Sequence, residues 1–301
     1  MKNLLRVFVV LTAVMVVALS VDAGDRPRVV ATYSILGEWV AEVGGTNIIL
    51  SVIVGRDGDS HTYSPTPADA VAIAQADLVL ENGLGFEPWL TRLIESSGTK
   101  ARRAAVSQGI ESLRANLEAG HGMDVNPHVW HDVRLAIQMV QEVARQLALI
   151  DPPHAAEYRQ RSERYCAELQ ELDLWVVQQT QSLPAARRKL VTSHDTFGYF
   201  ARRYGFEVVG TALGSFTTDT PDPAAIELAQ LVEKIKAAGV PVVFTENMVN
   251  PKVLERVAQE AHVRVAPTLF TDALGPVGSD GETYLKLMHY NVKTMVEALG
   301  K

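Results

Sequence analysis

The chain has 301 residues and a net charge of −7, with 28 lysines and arginines against 35 aspartates and glutamates. An acidic chain without a basic cluster is a poor candidate for binding nucleic acid, whose phosphates attract positive surfaces. The single cysteine, Cys166, excludes an internal disulfide and a cysteine-based zinc site, so metal chemistry must use the eight histidines and the carboxylates. We expect Cys166 to be a small buried hydrophobic residue on a helix.

Residues 1–23 have the pattern of a secretory signal peptide. Lys2 and Arg6 precede an apolar run from Val7 to Leu19, and small residues follow, so we expect cleavage after Ala23, with Ser20 as the alternative position. The apolar run is short for a membrane-spanning helix. No cysteine lies near the cleavage position, so we expect a periplasmic protein that is released rather than anchored by a lipid.

From Arg28 onward, short β-branched runs alternate with helical patterns. In the first half the expected strands lie in RVVATYSI, IILSVIVG and DLVLEN. In the second half they lie in KLVTSH, FEVVGTA, VPVVFTE and VRVAPTLF, and a final helix is expected in GETYLKLMHYNVKTMVEALG. Such alternation predicts mostly parallel sheets with helices on both faces.

A long helical pattern separates the two halves. Residues 152–184 have prolines at both ends, no breaker between them, and apolar residues at helical spacing, which predicts roughly eight turns of unbroken helix. We therefore predict an α/β protein with two lobes, each a mostly parallel sheet flanked by helices, joined by one long rigid α-helix. The predicted divisions are a signal peptide (1–23), an N-terminal lobe (24–151), the connecting helix (152–184) and a C-terminal lobe (185–301).

Candidate metal ligands fall where open α/β sheets bind their ligands, beyond the carboxyl ends of the strands. His61, His128, His194 and Asp272 each lie on a strand-to-helix connection, two in each lobe, so they can converge if the lobes face each other. Asp272 could instead cap the turn TDALG, in which case Asp195 or Asp219 would substitute for it. Three other histidines fall on helical stretches away from strand ends, and we expect surface or packing roles for them: His154, His262 and His289.

The segment NPHVWHDV contains two histidines three residues apart, and both could bind a metal only if the following helix began early. Asp132 is expected as the N-cap of that helix or as a residue of its first turn. Asn126 precedes Pro127, which disfavours an earlier helical start. His128 should therefore lie in the loop and reach the cleft, whereas His131 lies at the entrance to the helix.

Four segments resemble the metal-binding segments of the zinc and manganese ABC-transporter substrate-binding proteins: HTYSPTPAD, NPHVW, TSHDTFGYFARRYGFEVVG and LFTD. They occur in that family's order and spacing, and the resemblance covers essentially the whole mature chain. It implies two α/β lobes, a single metal ion between them and delivery of that ion to an ABC permease in the inner membrane, without enzymatic activity. The ligands it implies are His61, His128, His194 and Asp272.

The chain also departs from the family pattern. An apolar residue is usual at position 131. His131 is therefore not expected to be a ligand; at most it supports the ligands or lies on the path by which the metal enters. The long histidine-rich insertion of some zinc members is absent, and only His121 occupies that region, so the loop has a single histidine with which to gather metal. We expect a monomer, with periplasmic metallochaperones as a further class of partner.

Three imidazoles and one carboxylate form a closed set of four ligands, which suits tetrahedral zinc. In manganese members of the family a glutamate stands where this chain has His194, so we expect one Zn²⁺ per chain, with Mn²⁺ as the alternative. A secreted zinc metallohydrolase would use only the histidines as ligands and Asp272 or Asp195 as its base. A metal-independent adhesin or scaffold would make the histidines incidental. Glu246, after VPVVFTE, is expected near the cleft but not as a ligand.

Overall fold

The computed structural model describes residues 26–114 and 125–301. The predicted signal peptide and His121 lie outside the described residues. Within the described residues, no helix has both the length and the apolar character that crossing a bilayer requires.

The first four strands form one fully parallel sheet in the order β2-β1-β3-β4. The strands are β1 (Arg28–Tyr33), β2 (Ile49–Val54), β3 (Leu78–Glu81) and β4 (Arg102–Ala105). The helices of this half are α1 (Ser34–Gly44), α2 (Pro67–Ala74), α3 (Leu90–Ser97) and α4 (Val133–Ile150). Strand β4 was not predicted, because Arg-Arg-Ala-Ala contains no β-branched or aromatic residue. It lies at the edge of the sheet, where arginines discourage pairing with another chain.

The second sheet repeats this topology in the order β6-β5-β7-β8, again fully parallel. Its strands are β5 (Lys189–Thr192), β6 (Glu207–Thr211), β7 (Val242–Glu246) and β8 (Arg264–Leu269). The helices are α6 (Gly198–Tyr204), α7 (Ala225–Ala238), α8 (Lys252–Ala261) and α9 (Tyr284–Gly300). In each half the strand order reverses between the first and the third strand, with two strands on each side of that point. The predicted α/β fold class is confirmed.

Capping residues fix where several helices begin. Thr66 accepts a hydrogen bond from Asp69 N, and Pro67 occupies the first turn of α2, where its missing N–H costs nothing. Asp132 accepts a hydrogen bond from Arg134 N, so α4 starts at Val133 and the predicted N-cap is confirmed. The preceding turn, Val129–His131, is a short 3-10 helix, and His128 lies before it in a non-helical conformation.

The long helix α5 runs from Ala155 to Gln181 and connects the two halves. A 3-10 turn, Pro152–His154, precedes it. Its buried face includes Tyr158, Leu169 and Val176, and it packs against α1, α4 and α9. Cys166 is free and buried on this helix, as predicted.

The two halves also touch directly across the cleft. Trp130 Nε1 donates to Thr271 O at 3.0 Å, and Tyr284 N donates to Glu38 Oε2 at 2.6 Å. The ring of Tyr284 packs edge-on against Trp39, with 5.2 Å between centroids. The N-terminal end of α9 therefore lies against the first lobe.

Candidate metal centre

The four residues predicted as ligands lie together where the carboxyl ends of the two sheets meet. His61 follows β2, His128 lies between β4 and α4, His194 follows β5, and Asp272 follows β8. Each has at most 2% of its surface exposed. One potential ligand atom from each residue lies within 4.8 Å of the others. The structure thus brings together two side chains from each lobe.

The ligand atoms form a compact cluster. Nε2 of His128 lies 3.3 Å from Nε2 of His61 and 3.1 Å from Nε2 of His194. Oδ2 of Asp272 lies 3.1 Å from His194 Nε2, 3.3 Å from His61 Nε2 and 3.6 Å from His128 Nε2. Three imidazole nitrogens and one carboxylate oxygen are therefore mutual neighbours in a site closed to solvent.

Two of the histidines are oriented by a partner on the far side of the ring. Asn126 Oδ1 lies 2.9 Å from His128 Nδ1 and also accepts the His128 backbone N–H at 3.0 Å. Glu246 Oε2 lies 2.6 Å from His194 Nδ1. Such partners fix the tautomer that presents Nε2 to a metal. Glu246 was expected near the cleft, whereas Asn126 was not predicted to orient His128. Its position before Pro127, where an asparagine can form an Asx turn, could have indicated this role.

Glu246 is itself held in place by the second lobe. Its Oε1 accepts backbone N–H groups from Ser193 at 2.8 Å and His194 at 3.0 Å. Its Oε2 accepts the hydroxyl of Thr271 at 3.1 Å. Because these groups are buried, the carboxylate that faces His194 Nδ1 has little freedom to move.

Asp59 holds the loop that carries His61. Its Oδ1 accepts the His61 backbone N–H at 2.9 Å, and its Oδ2 accepts the hydroxyl of Thr62 at 2.9 Å. The same Oδ2 accepts the hydroxyl of Thr218 from the second lobe at 2.6 Å. Nearby, Asp57 N donates to Leu274 O at 2.9 Å. The position of His61 therefore depends on contacts with the opposite lobe, which the sequence did not indicate.

His131 lies beside the cluster without joining it. It is fully buried, its ring packs on Phe197 with 4.6 Å between centroids, and its Nε2 lies 3.1 Å from Thr196 Oγ1. Burial lowers the pKa of His131 to about 3, so the ring is neutral. This agrees with the supporting role expected for it.

The electrostatics of the cluster separate His128 from His194. Burial lowers the pKa of His128 to about 3. Burial would also lower the pKa of His194, but the carboxylates of Glu246 and Asp272 together raise it well above its usual value. The pKa of Asp272 lies well below its usual value, because His194 and His128 outweigh the opposing effect of burial. In the metal-free cluster the positive charge therefore resides on His194.

The remaining candidates lie outside the cluster. Asp195 and Asp219, the substitutes for Asp272, are not members of it. His154 Nδ1 lies 2.8 Å from Asp151 Oδ2. The ring of His289 packs on Trp175 at 4.2 Å between centroids, and His262 ends α8 with a φ of 59°.

The fold and the site define a two-lobed α/β protein with a buried set of metal-ligand side chains between its lobes. Residues 29–298 match the family described as zinc-uptake complex component A, periplasmic. The zinc-binding protein TroA of Treponema pallidum is 34% identical over 285 residues, covering 93% of this chain and 91% of TroA. The manganese-binding lipoprotein MntA of Halalkalibacterium halodurans is 34% identical over 281 residues, with the same two coverages. The solved structure of T. pallidum TroA aligns with a TM-score of 0.84 at 32% identity, covering 91% of this chain and 99% of that one.

The chain belongs to the family of zinc and manganese ABC-transporter substrate-binding proteins. It is accordingly an extracytoplasmic metal-binding component of a transporter that works with a permease, and the family is not one of enzymes. The family resemblance and the two-lobe fold inferred from the sequence are confirmed. The metallohydrolase and scaffold alternatives find no support in this membership.

Proposed function

We propose that the protein captures one Zn²⁺ between its lobes through His61, His128, His194 and Asp272 and delivers it to an ABC permease in the inner membrane. The observation that carries this proposal is the buried cluster of three Nε2 atoms and one carboxylate oxygen. Zinc is the cargo here, held without an open position for a reacting water.

The spacing of the ligand atoms supports zinc. Zinc-to-nitrogen distances in proteins are about 2.0–2.1 Å, which places the corners of a tetrahedral site about 3.3 Å apart. Five of the six separations between the ligand atoms are 3.1–3.6 Å, and all four atoms lie within 4.8 Å of one another. Only small movements of the side chains would be needed to seat a tetrahedral ion.

Manganese is the second candidate, because MntA of H. halodurans is as similar to this chain as TroA is. Manganese, however, suits oxygen-rich octahedral sites, and imidazole nitrogens suit zinc. In the Irving–Williams order zinc also exceeds manganese at sites of this kind. We therefore assign the ligand set to zinc.

Zinc should stabilise the folded protein strongly. An ion that binds only the native state at a thousandfold excess over its Kd adds about 4 kcal/mol to the free energy of unfolding. For a chain of this size that corresponds to a rise in Tm of roughly 10 °C. Thermal unfolding with added zinc measures the rise, and Ca²⁺, which prefers oxygen ligands, is the control ion. An unchanged Tm with zinc at neutral pH would contradict the proposal.

Zinc affinity should fall as the pH is lowered. In the metal-free protein His194 holds a proton at neutral pH, because its pKa is raised by Glu246 and Asp272. Zinc must displace that proton to bind Nε2, so the affinity should fall about tenfold per pH unit while one proton is released. His128, with its pKa lowered to about 3, is already neutral and contributes no proton. Calorimetry between pH 6 and pH 8, in buffers of different ionisation enthalpy, measures both quantities; an affinity independent of pH would contradict the assignment.

We further propose a periplasmic monomer, released by cleavage of residues 1–23 and without a lipid anchor, for which periplasmic metallochaperones are a second class of partner. The relative MntA is named a lipoprotein, so the anchor is the point to test. Expression with the native N-terminus should yield a product that begins near Gly24. Intact mass spectrometry would contradict this if most molecules retained residues 1–23 or carried a lipid.

A further inference from the structure

The two carboxylate oxygens of Asp272 have different surroundings. Oδ2 lies among the three histidine nitrogens and accepts no other hydrogen bond from the described residues. Oδ1 instead accepts the hydroxyl of Thr196 at 3.3 Å. Thr196 is fully buried, so no solvent competes for this contact. The carboxylate is therefore held with one oxygen towards the cluster and the other towards Thr196.

The direction of the Thr196 hydroxyl is set by His131. Its Nε2 lies 3.1 Å from Thr196 Oγ1, whereas its Nδ1 is buried and has no hydrogen-bond partner in the described part of the chain. A buried N–H without an acceptor is rarer in proteins than an acceptor without a donor. The favoured tautomer of His131 thus carries its proton on Nε2 and donates to Oγ1. The hydroxyl proton of Thr196 then points to Asp272 Oδ1.

We propose that His131 and Thr196 are positioning residues that restrict Asp272 to one-oxygen binding and so favour zinc over manganese. Four-coordinate zinc needs a single oxygen from Asp272. Manganese prefers more oxygen ligands, and the second oxygen of Asp272 would supply one. A donated hydrogen bond to Oδ1 opposes that use. This inference rests on the proposed zinc function and adds a cause of its selectivity outside the four ligands.

His131 is suited to this role and not to direct ligation. Its Nε2 is occupied by Thr196, and its ring is packed between Trp130 and Phe197, at 5.6 and 4.6 Å between centroids.

Thr196→Val removes the hydroxyl and keeps the shape of the side chain, and Thr196→Ser restores the hydroxyl. His131→Leu removes the donor and leaves Thr196 intact. Competition titrations of each purified full-length variant with Zn²⁺ and Mn²⁺ give the ratio of the two affinities. Because loss of a group that orients a ligand changes metal affinity by about 10–100-fold, we expect Thr196→Val and His131→Leu to lower the zinc-to-manganese ratio about tenfold. Thr196→Ser should keep the wild-type ratio.

The visible spectrum of the Co²⁺-loaded protein gives a second readout, because four-coordinate cobalt absorbs more strongly than five- or six-coordinate cobalt. Wild type and Thr196→Ser should show the intense spectrum, and Thr196→Val and His131→Leu a weaker one. The inference would be overturned if Thr196→Val and His131→Leu both kept the wild-type zinc-to-manganese affinity ratio and the wild-type cobalt spectrum. If Thr196→Val does not fold, His131→Leu decides alone.

The zinc assignment fails separately, if the wild type prefers manganese. In that case a shift of the ratio and spectrum in the variants would still support the restriction of Asp272, and their constancy would still overturn it. The metal preference of the wild type thus tests the zinc assignment, and the change in ratio and spectrum between wild type and variants tests the restriction of Asp272.

Discussion

Substitution of His128 by alanine should lower zinc affinity at least about a hundredfold, whereas His131→Ala should lower it only about tenfold. Zinc bound to four protein ligands gains roughly 10–16 kcal/mol, so one ligand contributes roughly 3 kcal/mol, or about two orders of magnitude in Kd. His128 Nε2 is within 3.6 Å of a ligand atom from each of the other three residues. Its removal therefore leaves a gap in the cluster.

His131→Ala is a matched control, because both histidines are fully buried and lie three residues apart in one segment. His131 acts only through Thr196, and loss of such a supporting group costs about tenfold at its lower limit. Competition calorimetry on the two variants and the wild type separates these roles. Equal losses in both variants would mean that the two histidines share the metal or that neither binds it.

His194→Glu should shift the metal preference from zinc towards manganese. The substitution removes one imidazole. If each ligand contributes roughly 3 kcal/mol, as for His128, zinc affinity should fall about a hundredfold. It adds a carboxylate oxygen, a ligand type that suits manganese, so manganese affinity should hold or rise. In the metal-free variant the new carboxylate would face Glu246 and Asp272 without the positive charge of His194, which should destabilise that form.

The same substitution at an exposed histidine, His289→Glu, is the control, because that residue lies outside the cluster and packs on Trp175. It should leave both affinities unchanged. Competition titrations with Zn²⁺ and Mn²⁺ on the wild type and both variants measure the ratio. A ratio unchanged by His194→Glu would show that the ligand set does not govern selectivity.

Most strands and helices could be predicted because each is encoded locally. Runs such as that in β7 are rich in β-branched and aromatic residues, and caps such as Asp132 mark where a helix begins. Strand β4 escaped prediction because Arg102–Ala105 has no such preference and becomes a strand only by pairing with β3. The sequence also did not show that the two sheets have the same strand order, because two segments can share a topology without any sequence repeat.

The positions of the four candidate ligands could be predicted because parallel sheets present their carboxyl-end loops at one edge. Some of their supporting contacts could not, since these join residues far apart in the chain. Asp59 meets Thr218 across 159 positions, and Thr196 meets Asp272 across 76. Such contacts depend on how loops pack within a lobe or between the two lobes, which no local pattern in the sequence records.

The near-complete burial of the four candidate ligands bears on how long a captured ion stays. A chelator or a permease cannot approach an ion enclosed in this way while the lobes remain in contact. The dwell time of the metal is then set by how often hydrogen bonds between the lobes, such as those of Asp59 with Thr218 and of Trp130 with Thr271, break together. Binding strength and exchange rate become separately adjustable: the ligands govern the first, and residues remote from the ion govern the second.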